Sequence, residues 1–222
     1  EAKDLGKLDP IAIEAVRTEA WPEVSNENEL HDALLLSGFI TEGEGTRYNW
    51  KEMFGNLVEG GRATALSGRG RVLWIATEKL PTASRAFADR KVLYDVVVPE
   101  KLLAEGAGAE PVVEIIRGRL EITGPVTVRE LMDVSGLEKS EIDQALLKLE
   151  NEGFAFRGDF RSSGNEEWCE RRLLARIHRY TIKKLRSEIE PVSAANFMRF
   201  LFFWHHLDRN NTVQGPTGVE HV

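Results

Sequence analysis

The stretch TVRELMDVSGLEKSEIDQALLKLENEGFAFR, Thr127–Arg157, decides the fold. Thr127 is placed to cap a helix, and Glu130, three residues on, is placed to return a bond to the cap amide. Val128, Leu131, Met132 and Val134 give that short helix an apolar face. Gly136 permits a tight turn, and Leu137 plugs the angle between two helices. Ile142, Ala145, Leu146 and Leu149 recur at three- and four-residue steps, which predicts a second helix with one buried stripe. It ends at Asn151–Gly153, where glycine supplies a left-handed cap. Phe154-Ala155-Phe156 alternates as a strand, with Gly158-Asp159 as the hairpin tip. Helix, turn, helix and hairpin in that order is the plan of a winged helix-turn-helix, a shape that offers a helix to a nucleic-acid groove.

Working outward, the N-terminal half carries the same plan less cleanly. Asp9-Pro10 is a cap followed by proline at the first helical position, which predicts an opening helix over Ile11–Trp21. Ser25 or Asn26 caps Glu27–Ser37, and Asn49 with Glu52 is a cap spacing ahead of Met53–Val58. Arg62–Leu66 and Arg71–Ala76 then flank Ser67-Gly68-Arg69-Gly70, a hairpin with a basic, glycine-rich tip. The expected class is mostly α, α+β: tandem winged helix-turn-helix domains, then a long basic helix and a further helix. The expected divisions are a first winged-helix-like domain over 1–80, a packed linker over 81–110 and a second winged-helix domain over 111–165. The basic and apolar helices take 166–207, and 208–222 is an irregular tail, the truncated start of a further domain. The linker ends in Gly106-Ala107-Gly108, and the basic helix is expected over Glu166–Ile189, stopped by Pro191.

A chain of 222 residues can bury one or two substantial cores. No apolar run is long enough to span a bilayer; the densest, Phe197–Trp204, is short and broken by Arg199. The start EAKDLGKLDP is unlike a signal peptide and lacks Met, so the chain reads as a piece of something longer. One cysteine, Cys169, fits a reducing cytoplasm and reads as a structural thiol, with no histidine–amide partner pattern to make it a nucleophile.

Net charge is −7, but Trp168–Arg186 holds seven basic residues against Glu170, leaving −13 for the remainder (−7 less +6). Arg172, Arg176, Arg179, Lys183 and Arg186 recur at helical steps and form one cationic ridge, with Arg171 beside it. That ridge is either a phosphate track or a solvated face paired with the acidic remainder. The second winged-helix unit's own groove helix exposes Lys139, Glu141, Asp143, Gln144, Lys148 and Glu150, a poor surface for base reading. The first wing, with Arg62, Arg69 and Arg71 near glycines, is the better strand contact.

Catalytic signatures are missing. The G-x-x-x-x-G-K-[ST] phosphate loop, G-x-S-x-G and H-E-x-x-H are all absent. Adjacent His205 and His206 fall on different helix faces and, with His178, form no ligand set. No catalytic residue, metal site or cofactor is expected in this piece.

The segment EEWCERRLLARIHRYTIKKLRSEIEPVSAANFMRFLFFWHHL, Glu166–Leu207, resembles the bacterial large helicase-related (Lhr) proteins. Glu29–Thr41, Arg71–Pro81 and Gly124–Gly158 look like that family too. The resemblance implies a C-terminal segment of a superfamily 2, ATP-dependent 3′–5′ DNA helicase linked to repair. ATP and Mg would belong to the parent's motor domains, which this chain lacks. It implies DNA, as a single strand or duplex junction, and the motor domains as partners, with a homo-oligomer possible and no membrane. A cytoplasmic, nucleoid-associated protein follows. The implied role is to hold DNA phosphates through Arg171, Arg172, Arg176, Arg179, Lys183 and Arg186, with Arg62, Arg69 and Arg71. The competing role is an oligomerisation or partner-docking scaffold.

Overall fold

A computed structural model of the chain describes residues 8–103, 110–162, 164–188 and 192–206. The expected tail at 208–222, the Gly106–Gly108 stretch and the Pro191 stop lie outside the described residues. The fold is mostly helical with small antiparallel sheets, as the sequence pattern predicts. The chain divides into two compact units, 1–181 and 182–222.

The first unit opens with α1 (Pro10–Ala20), capped by the Asp9 carboxylate at 3.1 Å from the Ile11 amide. There follow α2 (Glu27–Ser37), β1 (Ile40–Thr41), α3 (Glu42–Arg47), α4 (Lys51–Glu59), β2 (Ala63–Gly68) and β3 (Arg71–Ala76). Then come a single 3₁₀ turn, α5 (Leu80–Ala86) and β4 (Lys91–Val92). The second series is α6 (Pro111–Thr123), β5 (Val126–Thr127), α7 (Val128–Ser135), α8 (Lys139–Asn151), β6 (Ala155–Gly158) and β7 (Glu167–Glu170). From α2 to β3 and again from α6 to β7 the order is α-β-α-α-β-β, and the sheets read β1-β3-β2-β4 and β5-β7-β6. In both, a short strand leads into a helix and pairs with the last strand of the hairpin.

Both helix starts are built alike. Thr41 and Thr127 each accept from the third helical amide at 3.2 Å, and Glu44 and Glu130 return bonds to the cap amides. Each box satisfies two amides that the helix leaves without partners. The α7–α8 turn is as expected: Gly136 sits at φ 70°, and Leu137 beside it is buried. One apolar core runs through the two series, from Phe39, Leu66 and Ile75 through Ile116 and Leu120 to Leu146, Leu149 and Trp168. α6 is its axle. Gly118 lets α6 close on α2, since a Cβ there would stand 2.6 Å from the Leu36 carbonyl.

Several local expectations are corrected. The opening helix of the first repeat is α2, not α1; α1 packs Ala12, Ile13 and Val16 against Cys169, Leu173 and Ile177. Asn49 caps nothing: it is left-handed at φ 62°, and Trp50 is the N-cap of α4, with no side-chain cap bond. The capping box at Thr41 and the helix it opens are absent from the expected plan. Glu167–Glu170 is a strand, not the start of the basic helix, because this segment is the middle of three strands and all four residues are buried. The hairpin does not turn at Gly158-Asp159: β6 runs to Gly158 and the chain returns only at Glu167. The basic helix, α9, is therefore Arg171–Ser187.

The second unit begins at Ile182, within α9, and its other described element is α10 (Ala194–Trp204). Ser193 caps α10 at 3.2 Å from the Asn196 amide, and α10 has no buried residue. No helix of the described residues is long and apolar enough to cross a membrane.

Candidate nucleic-acid interface

α9 is amphipathic in an unequal way. Leu173, Ile177 and Thr181, four residues apart, are buried on the side facing α1, where the Thr181 hydroxyl accepts from the Asp9 amide at 3.0 Å. The Glu170 carboxylate starts the helix by accepting from the Leu173 amide at 2.9 Å. The basic ridge runs along the same helix. Arg172 is held by Glu170 at 3.1 Å and Glu121 at 3.6 Å, yet its side chain is 74% exposed. Arg176 pairs with Glu19, which also accepts from the Tyr180 hydroxyl at 3.1 Å. The side chains of Arg171 and Arg179 are exposed and make no ion pair or hydrogen bond among the described residues. The same holds for Lys183 and Arg186, which lie in the second unit. Two of the six ridge cations are thus partly neutralised from within, and four are open.

The basic hairpin tip is placed differently. Arg69 and Gly70 form the two-residue turn with φ of 51° and 71°, the left-handed pair that a tight hairpin needs. This tip docks on the C-terminal end of α7. Arg71 Nε donates to the Asp133 carbonyl at 2.7 Å and Arg69 Nη1 to the Gly136 carbonyl at 2.8 Å; Arg90 Nη2 donates to the Ser135 carbonyl. Three guanidinium groups therefore cap the negative end of one helix. Asp89 binds Arg69 Nε at 2.6 Å, a bond that raises the Arg69 pKa and holds the Asp89 carboxyl below its usual range. Burial lowers the pKa of Arg90, with Asp89 opposing and Arg69 and Arg71 adding to the effect. Arg62 donates to the Asn28 side chain at 2.7 Å. The structure gives the three wing arginines partners inside the fold and does not bring them to the α9 ridge.

Helix α8 spends its cations locally too, Lys139 on Asp143 at 2.5 Å and Lys148 on Glu110. Burial pushes the Cys169 thiol up to about 12, with Glu170 and Glu167 adding to it, so it stays protonated and unreactive at neutral pH. No group of histidine, cysteine and carboxylate side chains fit for a metal occurs among the described residues.

Sequence reasoning missed a cleft of about 800 Å³ lined by residues of α1, α3, α6 and α7 and of the segments that follow α1 and α3. Trp21, Tyr48 and Trp50 line it as near-parallel rings, with centroids 5.6 Å (Trp21–Tyr48), 5.1 Å (Tyr48–Trp50) and 6.5 Å (Trp21–Trp50) apart. Arg119 closes its floor, only 4% exposed, paired with Glu44 and lying 5.4 Å from the Trp21 ring. Burial alone would raise the Glu44 carboxyl, but the charge and hydrogen bond of Arg119, with two bonds from Thr41, hold it below its usual range. No periodicity links Trp21, Tyr48 and Trp50; they cap the end of α1, the end of α3 and the start of α4, which tertiary packing brings together.

The site and fold together define a mostly helical α+β chain with a repeated α-β-α-α-β-β unit and an arginine-lined terminal helix. No family model matches the chain. It is 26% identical over 194 residues to a Mycolicibacterium smegmatis protein named Lhr helicase/probable uracil glycosylase. The match covers 85% of this chain and 12% of that protein, so the chain is related to a short part of an Lhr helicase.

Proposed function

We propose that this chain is a nucleic-acid-holding accessory segment of a longer Lhr-like, ATP-dependent 3′–5′ DNA helicase acting in cytoplasmic DNA repair. Its two α-β-α-α-β-β units are winged-helix domains that have given up groove reading for mutual packing. The segment has no ATPase of its own; ATP and Mg act in motor domains elsewhere in the parent. The observation that carries the reading is the open part of the ridge: Arg171, Arg179, Lys183 and Arg186 are exposed on α9 with no carboxylate partner among the described residues. Arg172 and Arg176 add weaker contacts, because a phosphate has to compete there with Glu170, Glu121 and Glu19.

Four free cations set the test. Each phosphate neutralised on a single strand contributes roughly −0.7 to the slope of log affinity against log salt, so four give about −3. Fluorescence anisotropy with a labelled single strand across a salt series measures this slope. Reversing Arg171→Glu and Arg179→Glu together should weaken binding at least tenfold. A flat salt dependence, or no binding at low salt, overturns the proposal.

A second reading has its own support. On α10, Phe200 is 52%, Phe203 60% and Trp204 66% exposed, and exposed large apolar side chains grouped on one helix mark interaction surfaces. Under that reading the segment docks partners or oligomerises, and light scattering would find a stable oligomer with no affinity for DNA.

A further inference from the structure

The cleft at the Trp21–Tyr48–Trp50 rings includes no ridge residue and is lined in part by α6 and α7 of the second repeat. Its volume, about 800 Å³, lies within the range of small-ligand sites, ~300–1,000 Å³. Its ring planes are close to parallel, at 9°, 23° and 24°. Parallel rings extend naturally to one more flat ring, unlike the box of crossed rings that surrounds a cation. Trp50 is 3% exposed while Tyr48 is 45% exposed, so Tyr48 is the member whose surface is open. Most of the charge around it is already balanced: Glu44 by Arg119, Glu130 by Arg161 and Glu14 by Arg17. Arg47, next to Tyr48 in the chain and also lining the cleft, is exposed and makes no ion pair or hydrogen bond among the described residues. Glu23, similarly free, leaves the cleft close to neutral.

We infer that this cleft holds a nucleobase of single-stranded DNA, stacked on Tyr48, with an adjoining phosphate on Arg47. A flat ring followed within one residue by an anion is what a nucleotide presents, and the Tyr48–Arg47 pair is its complement. The inference rests on the DNA-holding reading given above but uses a separate surface and a separate force. Stacking is sequence-tolerant and releases few counterions, whereas the ridge works through charge.

That difference supplies the test, run on the 222-residue chain with a short single-stranded oligonucleotide and with the same strand made abasic. Tyr48→Ala should weaken binding of the base-bearing strand roughly tenfold and leave its salt slope unchanged. Tyr48→Phe should retain affinity, and the abasic strand should bind the parent protein as weakly as the normal strand binds Tyr48→Ala. Arg47→Glu, a change at an exposed and unpaired position, should weaken binding and make the slope shallower by about 0.7. It keeps the test open should Tyr48→Ala melt early. If the parent binds with the ridge's steep slope yet is indifferent to base removal and to Arg47→Glu, the cleft is not a base site, and the ridge reading survives. If the parent does not bind at all, both fall.

Discussion

Replacing Arg119 with alanine tests how the two repeats are joined. Arg119 lies on α6, at the centre of the shared core, and reaches Glu44, the carboxylate of the first capping box. One side chain therefore ties the second series to the start of a helix in the first. Its side chain is 4% exposed and that of Glu44 17% exposed, so the pair is largely out of water. Removing one partner of such a pair costs about 3–5 kcal/mol, mainly because the other charge stays buried. Glu44 keeps two bonds from Thr41, both 2.9 Å, which places the expected loss near the lower end, about 3 kcal/mol. At roughly 2–4 °C per kcal/mol for a chain of this size, the melting temperature should fall by about 6–12 °C. The loss should also depend on pH. The folded Glu44 carboxyl is held below the usual carboxylate range, so its stabilisation is present above that range and is lost as pH falls through and below it. In Arg119→Ala the chief cause of the depression is gone, so the gap between variant and parent should narrow between pH 6 and pH 3. Urea unfolding across that range, with Glu44→Gln and the double variant closing a cycle, measures both quantities. A loss under about 1 kcal/mol, or a gap that stays constant with pH, refutes the view that this pair joins the repeats.

Other outcomes follow from the same contacts. Gly136→Ala puts a Cβ 2.7 Å from Arg90 Nη2 at a left-handed φ of 70°, and the urea midpoint should drop by the equivalent of about 1–2 kcal/mol with no change in m. Arg71→Ala should lower the melting temperature while leaving oligonucleotide affinity within twofold, since its guanidinium donates to the Asp133 carbonyl. The Glu130 carboxyl, which burial alone would raise, is brought down to about 2 by Arg161 and Thr127. Its stabilisation, discounted because the side chain is 43% exposed, is present above about pH 4.5 and fades toward pH 2; Glu130→Gln should flatten that part of an acid titration. Cys169 should resist a thiol reagent at pH 8 in the folded chain and react at once in denaturant.

How much of this was legible in the sequence depended on whether the signal was local. The Thr127–Asn151 segment was readable almost residue by residue, because cap, turn glycine and apolar stripe are each fixed by near neighbours. Asp9 was equally plain as a cap, while the next helix offered Ser25 or Asn26 and the structure uses Asn26. Thr41-Glu42-Gly43-Glu44 carries the same cap spacing as Thr127–Glu130, yet two glycines and a length of only six residues hid the helix. Glu167–Glu170 failed for another reason. A middle strand is covered on both faces, so its apolar–polar alternation disappears, and two buried glutamates resemble the first turn of the basic helix that follows. The cleft was illegible because its three rings come from segments that only tertiary packing brings together.

The arginines show most clearly why a count of charges underdetermines a site. Arg62, Arg69 and Arg71 look like a phosphate grip in the chain, but Arg62 donates to Asn28 and the other two donate to carbonyls at the end of α7, beside Arg90. Arg119 and Arg161 clamp the glutamates of the two capping boxes, Arg161 bridging Glu130 at 2.8 Å as well as Glu167. Such arginines stabilise where they sit, because a guanidinium with fixed carbonyl or carboxylate partners gains little by moving to a mobile phosphate. Only cations left over after these internal demands can serve a polyanion. On α9 the leftovers are exposed positions of one helix, at successive steps of eight, four and three residues, while the partnered arginines elsewhere are scattered over helix ends. Exposure without an internal partner, repeated along one helix, is the property that separates a ridge for binding from arginines that hold the fold.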